Sequence, residues 1–563
     1  MTVTLTDLVP AGLRRAWAAD GTCPDLDLYS LYRARQIADP HRTALLDAKG
    51  KLCYTALDRK VRCLAAGLAG LGISPGEVVG VQLPAGREAV IADLALAALG
   101  AVALPFPAGR GSREARSLLG RSGAVAVIAS AVHREEEPAA GLLALRAELP
   151  LLRHVIAVGP ADRIPAGCAS VRELLRTDPA AFTPARPHPD SAARILVSSG
   201  SEAEPKMIAY SHNALAGGRG NFLASLMRGE EAPRCLFLVP LASAFGSTGT
   251  SVTLARHGGT LVLLDRFTPE AALDAIAEHA PTHVLGVPTM VRMMLDRLAE
   301  RPRELPAPTA LVLGGAPLDA ATAREAREAF GCPVVNLYGS ADGVNCHTGL
   351  DAVAAEPARE DPEPAEGRGR GVATGRPDPR VAEIRIVRPG EPESAEVPPG
   401  ATGEILARGP MSPLCYVGAP ELDARYRTAG GWVRTGDLGL LEPDGTLRVV
   451  GRLKDVVIRG GANISPAEVE LELAAHPAVR DVMCVGVADA LMGERLAACV
   501  VAREGAEAPL LEELGAFLTA RGLDRGKHPE RLLVVSALPL TPAGKPDRAA
   551  MKERFTALAA QPA

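Results

Sequence analysis

Apolar positions along the first two-thirds of the chain alternate between two rhythms. Tyr54 to Leu71 repeats them at helical spacing, Glu77 to Leu83 (EVVGVQL) is an almost unbroken apolar run, and Glu88 to Leu99 is helical again. Ala101 to Pro105, Ala124 to Ala129 and His154 to Val158 are further short apolar runs. The same pattern resumes at Ile195–Ser198, Cys235–Val239, Thr260–Leu264, His283–Val287, Ala310–Leu313 and Val334–Tyr338. Buried strands separated by segments of helical length predict parallel sheets with crossover helices.

The rhythm then breaks. Residues 351–378 are rich in proline, glycine and acid, and read as an exposed loop. From Glu383 to about Val450 short strands and turns dominate, with a hairpin signal at Asp444-Gly445. Beyond Arg452 a compact unit follows. Its predicted elements are a helix at Pro466–Ala475 capped by Ser465, strands at Val479–Val487 and Ala497–Ala502, a helix at Leu510–Arg521 and a strand at Arg531–Val535. The expected fold is α/β. A large N-terminal domain, residues 1–453, holds parallel sheets flanked by helices and a β-rich subdomain. A small, mobile α+β domain spans 454–563, with the boundary near Leu453–Lys454.

Composition adds three points. At 563 residues and 47% hydrophobic content the chain can bury more than one core. A net charge of −5 gives no basic face for a nucleic acid. Of 61 basic residues only eight are lysine, so a lysine inside a motif is informative. None of the ten cysteines forms a C-x-x-C pair, which fits reduced thiols and a cytoplasmic location. No signal peptide is read at the N-terminus, and Ala89–Pro107, interrupted by Asp93 and Pro105, reads as a helix entering a strand rather than a membrane span.

Six segments carry chemistry. SSGSEAEPK, 198–206, ends a strand in hydroxyls and glycine and then presents a lysine, the donor set a polyphosphate needs; it lacks the Walker A pattern. LGGAPLDA, 313–320, follows a strand, and its glycines let a flat ring approach the backbone. NLYGSADG, 336–343, offers an aromatic face at Tyr338 and a carboxylate at Asp342. WVRTGDLG, 432–439, places Asp437 in a turn, where it can accept both hydroxyls of a ribose. GRLKDVVIRGGANISPAEVE, 451–470, leads through a Gly-Gly turn into a helix. LTPAGKPDR, 540–548, is a loop framed by proline and glycine that presents Lys545.

In this order, from about Tyr54 to Arg548, these segments resemble the adenylate-forming superfamily of acyl- and aryl-CoA synthetases, nonribosomal-peptide adenylation domains and luciferases. The resemblance implies ATP and Mg²⁺ as cofactors, a carboxylic acid as substrate, and CoA or a carrier-protein phosphopantetheine as acceptor, in a monomer or homodimer. It implies that Ser198, Ser199, Gly200, Ser201 and Lys206 hold the β- and γ-phosphates. Gly314, Gly315, Ala316, Pro317, Asn336, Leu337, Tyr338 and Gly339 line the adenine, Tyr338 by stacking, while Asp437 and Arg452 bind the ribose. Asp342 helps hold the metal, Lys545 reaches the oxygen bridging carboxylate and α-phosphate, and Lys454 is the hinge on which the small domain rotates. In the second pose the Arg459-Gly460-Gly461 turn lines a thiol channel.

The sequence departs from the pattern in places. Glu202 and Ala203 stand where a hydroxyl and a glycine are usual, and Ala341-Asp342 replaces Thr-Glu. In VPLASAFGS, 239–247, Ser243 replaces the usual histidine or aromatic, and Ala244 replaces the acid or amide of amino-acid and salicylate activators. Ser243, Ala244, Phe245 and Gly246 therefore predict a largely apolar pocket for a fatty, alicyclic or aryl acid; the segment itself offers no charge, and a charged partner would have to come from elsewhere in the chain. Four activities stay open: a CoA ligase, an enzyme loading a carrier protein, a diazotase-like enzyme activating nitrite for an aryl amine, and a non-catalytic nucleotide-binding protein.

Overall fold

A computed structural model describes residues 4–198, 205–229, 231–350, 373–459, 462–489, 492–521, 523, 525–541 and 546–559. The unbroken apolar runs become strands covered on both faces. Val78–Gln82 is buried at every position and pairs in parallel with Val102–Pro105 and Ala126–Ser130. These strands lie at the centre of an eight-stranded sheet that runs from Cys415–Tyr416 through Lys206–Ser211 and Ala192–Ser198 to Ala169–Ser170. A second eight-stranded sheet orders Val344–His347, Val334–Ser340, Ala310–Gly314, His283–Gly286, Arg234–Phe237, Thr260–Leu263, Thr43–Asp47 and Gly50–Cys53. All its internal pairings are parallel; the two edge pairings are antiparallel.

One apolar core joins the two sheets. It includes Leu45, Cys235 and Leu261 from one, Val79, Val81 and Leu196 from the other, and the inner faces of helices Leu28–Ala38, Tyr54–Gly70 and Arg87–Leu99. The last of these helices is buried almost all round, as expected for a crossover helix with protein on both sides. Four antiparallel strands, Glu383–Val387, Gly403–Arg408, Val433–Leu441 and Leu447–Arg452, form the β-rich subdomain. Asp444-Gly445 turns its last hairpin, with Gly445 at φ +86°.

The smaller C-terminal domain has its own sheet and core. Val479–Asp489 and Gly493–Ala502 pair antiparallel, Arg531–Val534 adds in parallel, and Val457, Leu473, Cys484, Val500 and Leu518 pack beneath helices Pro466–Leu473 and Leu511–Ala520. Ser465 caps the first of these helices, its hydroxyl accepting from the Glu468 amide.

The structure adds elements that the periodicity did not reveal. Helices Ala11–Ala19 and Leu28–Ala38 and the hairpin Thr43–Cys53 precede the first expected element. Lys206–Ser211 is a strand antiparallel to Ala192–Ser198, so this sheet is mixed rather than wholly parallel. Of the loop expected at 351–378, residues 351–372 lie outside the described residues. All ten cysteines are free. Among the described residues no helix is long and apolar enough to cross a membrane.

Candidate active site

The strand pair Ala192–Ser198 and Lys206–Ser211 brings Ser198 opposite Lys206. Ser199, Gly200, Ser201, Glu202 and Ala203, between them in sequence, lie outside the described residues. The Lys206 ammonium sits 4.1 Å from the centre of the Tyr426 ring, 5.4 Å from that of Tyr416 and 3.6 Å from Asp342 Oδ1. Two aromatic faces and one carboxylate therefore hold a largely buried cation in place.

Asp342 is fixed from both sides. The Tyr416 hydroxyl donates to Oδ1 at 2.6 Å and the Ser340 hydroxyl to Oδ2 at 2.8 Å. Asp342 follows the strand Val334–Ser340, whose Leu337 lies opposite Gly314 of Ala310–Gly314. A Cβ on Gly314 would stand 2.9 Å from the Leu337 carbonyl oxygen, so the close approach of the two strand ends requires glycine. Gly315, at φ +84°, and Pro317 are exposed and Ala316 half-buried, forming an open lip beside half-buried Tyr338 and exposed Gly339. Asn336 is buried; its amide N–H donates to Thr348 Oγ1 at 3.0 Å and its side chain to the Ala373 carbonyl at 3.2 Å.

Asp437 lies within the strand Val433–Leu441 and not in a turn, although Gly436 before it takes φ +70°. Its partner across the hairpin is Arg452, whose Nε is 2.9 Å from Oδ1. The Tyr338 hydroxyl donates to Oδ2 at 2.7 Å. Burial raises the Asp437 carboxyl above its ordinary pKa, against the opposing pull of Arg452. Burial and the adjacent Asp437 carboxylate push the Tyr338 phenol up in turn, so it remains a donor. The stretch 338–342 thus touches both clusters: Tyr338 engages Asp437, and Asp342 engages Lys206.

Lys454 is exposed in the turn that follows Arg452. Arg459 is tied to the Glu530 carboxylate and donates to the Gly526 carbonyl at 3.1 Å, while Gly460 and Gly461 lie outside the described residues. Lys545 is also outside them, next to Pro546, which bridges to Leu540.

The segment Ser243–Gly246 forms a turn. The Ser243 hydroxyl donates to the Pro240 carbonyl at 2.7 Å and accepts from the Gly246 amide at 2.9 Å. Phe245 packs edge-on against Phe237. The segment carries no charge of its own, and one reaches it from elsewhere in the chain. Arg219, 5% exposed, donates to the Ala244 carbonyl at 2.7 Å and to Ser247 Oγ at 3.2 Å. It comes from helix Gly218–Ala224, some 25 residues earlier in the chain, too far to be associated with Ala244 by local pattern. Gly246 leaves no room for a side chain, because a Cβ there would overlap the Pro240 carbonyl oxygen. Gly246→Ala should cost about 1–3 kcal/mol of stability, as overpacking does. A chemical-denaturation midpoint equal to wild type would refute that packing.

Sequence reasoning missed Tyr416, Tyr426, Ser340 and Arg219. The two tyrosines come from the chain after 414, where no motif marks them. A metal fits the donors present only in one way. Among the described residues no cluster of three or more His, Cys, Asp or Glu can hold an ion. One buried carboxylate, Asp342, suits a Mg²⁺ whose remaining ligands are phosphate oxygens and water.

Comparison with known proteins places this architecture. Residues 33–417 match the AMP-binding enzyme family and residues 468–545 the AMP-binding enzyme C-terminal domain. The chain belongs to this family of adenylate-forming ligases. It is 29% identical over 538 residues to the medium-chain fatty-acid–CoA ligase of Escherichia coli (strain K12), covering 94% of this chain and 91% of that protein. To the salicyl-AMP ligase / salicyl-S-ArCP synthetase of Mycobacterium tuberculosis (strain ATCC 25618 / H37Rv) it is 32% identical over 527 residues, covering 91% and 88%. The solved structure of the amide bond synthetase McbA from Marinactinospora thermotolerans aligns with a TM-score of 0.80 at 29% identity, covering 94% of this chain and 99% of that one.

Proposed function

We propose that this chain joins a carboxylic acid to AMP with release of pyrophosphate and then transfers the acyl group to the thiol of CoA. The observation that carries the reading is the continuity of the stretch 338–342. It ties a carboxylate–guanidinium pair suited to ribose hydroxyls to a lysine–carboxylate pair suited to phosphates and their metal. In this reading Ser198 to Lys206 holds the β- and γ-phosphates, Gly314 to Pro317 and Asn336 to Gly339 line the adenine, and Asp437 and Arg452 bind the ribose. A carboxylate oxygen attacks the α-phosphorus and the bond to pyrophosphate breaks; the thiolate then attacks the acyl carbon and AMP departs. Two anions meet in the first step, and Lys206 and Lys545 neutralise them as point charges. Mg²⁺, held through Asp342, supplies further charge neutralisation when bound. The domain boundary falls at Leu453–Lys454, and rotation about Lys454 exchanges Lys545 for the Arg459 turn between half-reactions.

The salicyl-AMP relative supports a carrier-protein thiol as the alternative acceptor. The test is pyrophosphate release across a panel of fatty, alicyclic and aryl acids, alone, with CoA and with a phosphopantetheinylated carrier protein, plus an arm with nitrite and an aryl amine. Acid-dependent release without CoA, with thioester formed only when CoA is added, is expected. Release that depends on nitrite and on none of the acids would replace acid activation with nitrite activation.

A further inference from the structure

Arg219 is a buried cation whose chemistry nothing above uses. Its guanidinium lies 4.8 Å from the centre of the Tyr210 ring and donates to the Ala244 carbonyl and the Ser247 hydroxyl. Among the described residues no carboxylate pairs with it, and its buried Nε–H has no acceptor. A desolvated guanidinium with only neutral partners is costly, so a protein keeps one where something else supplies the anion. The contrast with Arg194 is instructive. That arginine is equally buried and also holds a carbonyl of this segment, Leu241, but it has Asp93 as its counter-charge at 2.5 Å.

The position narrows what the anion is. Tyr210 presents its ring to Arg219 and donates its hydroxyl to the Ala341 carbonyl at 2.7 Å, beside Asp342. Tyr210, rather than Arg219, bonds the carboxylate turn where the reacting group is activated, and the guanidinium flanks Tyr210. Arg219 sits instead against the half-exposed residues Ser243, Ala244 and Phe245 of the acid pocket. Lys206 occupies the phosphate side. We infer that Arg219 is a specificity-determining residue that pairs with a second carboxylate on the substrate, so that the acid activated is a dicarboxylic acid with one carboxylate left free. This rests on the acid-activating reading above. Guanidinium and carboxylate form the strong charge-assisted pair such recognition needs.

The experiment is acid-dependent ATP–pyrophosphate exchange with matched probes, benzoate against isophthalate and hexanoate against adipate. Wild type, Arg219→Lys and Arg219→Met are compared. Wild type should favour the dicarboxylate of at least one pair tenfold or more in kcat/KM. Arg219→Met should abolish that preference, its dicarboxylate rate falling at least tenfold further than its monocarboxylate rate, and Arg219→Lys should keep part of it. A wild-type preference for both monocarboxylates overturns the inference. So does an equal loss on both members of each pair in Arg219→Met, which is the signature of mere support for the turn. Should Arg219→Met fail to fold, titration calorimetry of wild type with isophthalate and benzoate decides: equal or weaker binding of isophthalate overturns the inference. Exchange with monocarboxylates but no selectivity sinks this inference alone, whereas no exchange with any acid sinks the acid-activating reading as well.

Discussion

Lys545→Ala should slow acyl-adenylate formation by about 100- to 1,000-fold, the loss typical of one preorganised charge donor in a water-poor site. Transfer of the acyl group from preformed adenylate to CoA should lose far less. The asymmetry follows from the electrostatics of the two steps. In the first, a carboxylate approaches a triphosphate, and a cation at the bridging oxygen offsets repulsion that peaks in the transition state. In the second, a thiolate attacks a carbonyl whose leaving group, AMP, is already stabilised. Lys545 is one of only eight lysines in a chain that otherwise uses arginine. A single-point ammonium on a flexible stem, rather than a planar fork, suits an oxygen whose position shifts along the reaction. Single-turnover measurement of each half-reaction is the check. Equal loss in both steps, or an unimpaired first step, would remove Lys545 from this role.

Much of the architecture could be read from the chain because its strands are buried on both faces. Val78–Gln82 and Ala310–Gly314 are apolar at nearly every position, a signal that survives without neighbours. Lys206–Ser211 was hidden because a strand opening with a charged residue and ending at a helix cap has no such run, though it is buried from Met207 to Ser211. Candidates for the nucleotide site were legible wherever they sit in an ordered motif, as Tyr338, Asp342, Asp437 and Arg452 do. Their mutual arrangement was not. The bond from Tyr338 to Asp437 spans 99 residues, that from Tyr416 to Asp342 spans 74, and only tertiary packing sets either. The surroundings of the expected acid-pocket segment were hidden for the same reason. The expected pocket segment, Ser243 to Gly246, forms a turn, and the charge against it arrives from a helix that carries no recognisable motif.

Asp437 gives a prediction in which binding and stability move in opposite directions. Asp437→Asn retains an oxygen to accept from Tyr338 but removes the charge that Arg452 and two ribose hydroxyls would share. Hydrogen bonds to a charged group contribute about 1.5–3 kcal/mol each, so KM for ATP should rise by roughly 10- to 150-fold for the loss of one such interaction. Stability should not fall with it. Burial raises the folded-state pKa of Asp437 above the ordinary carboxyl value of 3.8. A carboxyl whose folded pKa is raised supports the fold when protonated, and that support is lost as pH rises from about 4 through the folded pKa. On the proposed function, the ionised group at neutral pH is therefore expected to cost the fold some stability that nucleotide binding would offset. Arg452, with 58% of its side chain exposed, can turn to water when its partner loses charge. The asparagine variant should accordingly match or exceed the wild-type thermal midpoint at pH 7.5, with an advantage that shrinks on acidification towards pH 4. Calorimetric melts of both proteins across that range, paired with ATP saturation curves, supply the comparison. A variant less stable than wild type at pH 7.5, or one whose KM for ATP is unchanged, would show that Asp437 serves the fold rather than the nucleotide.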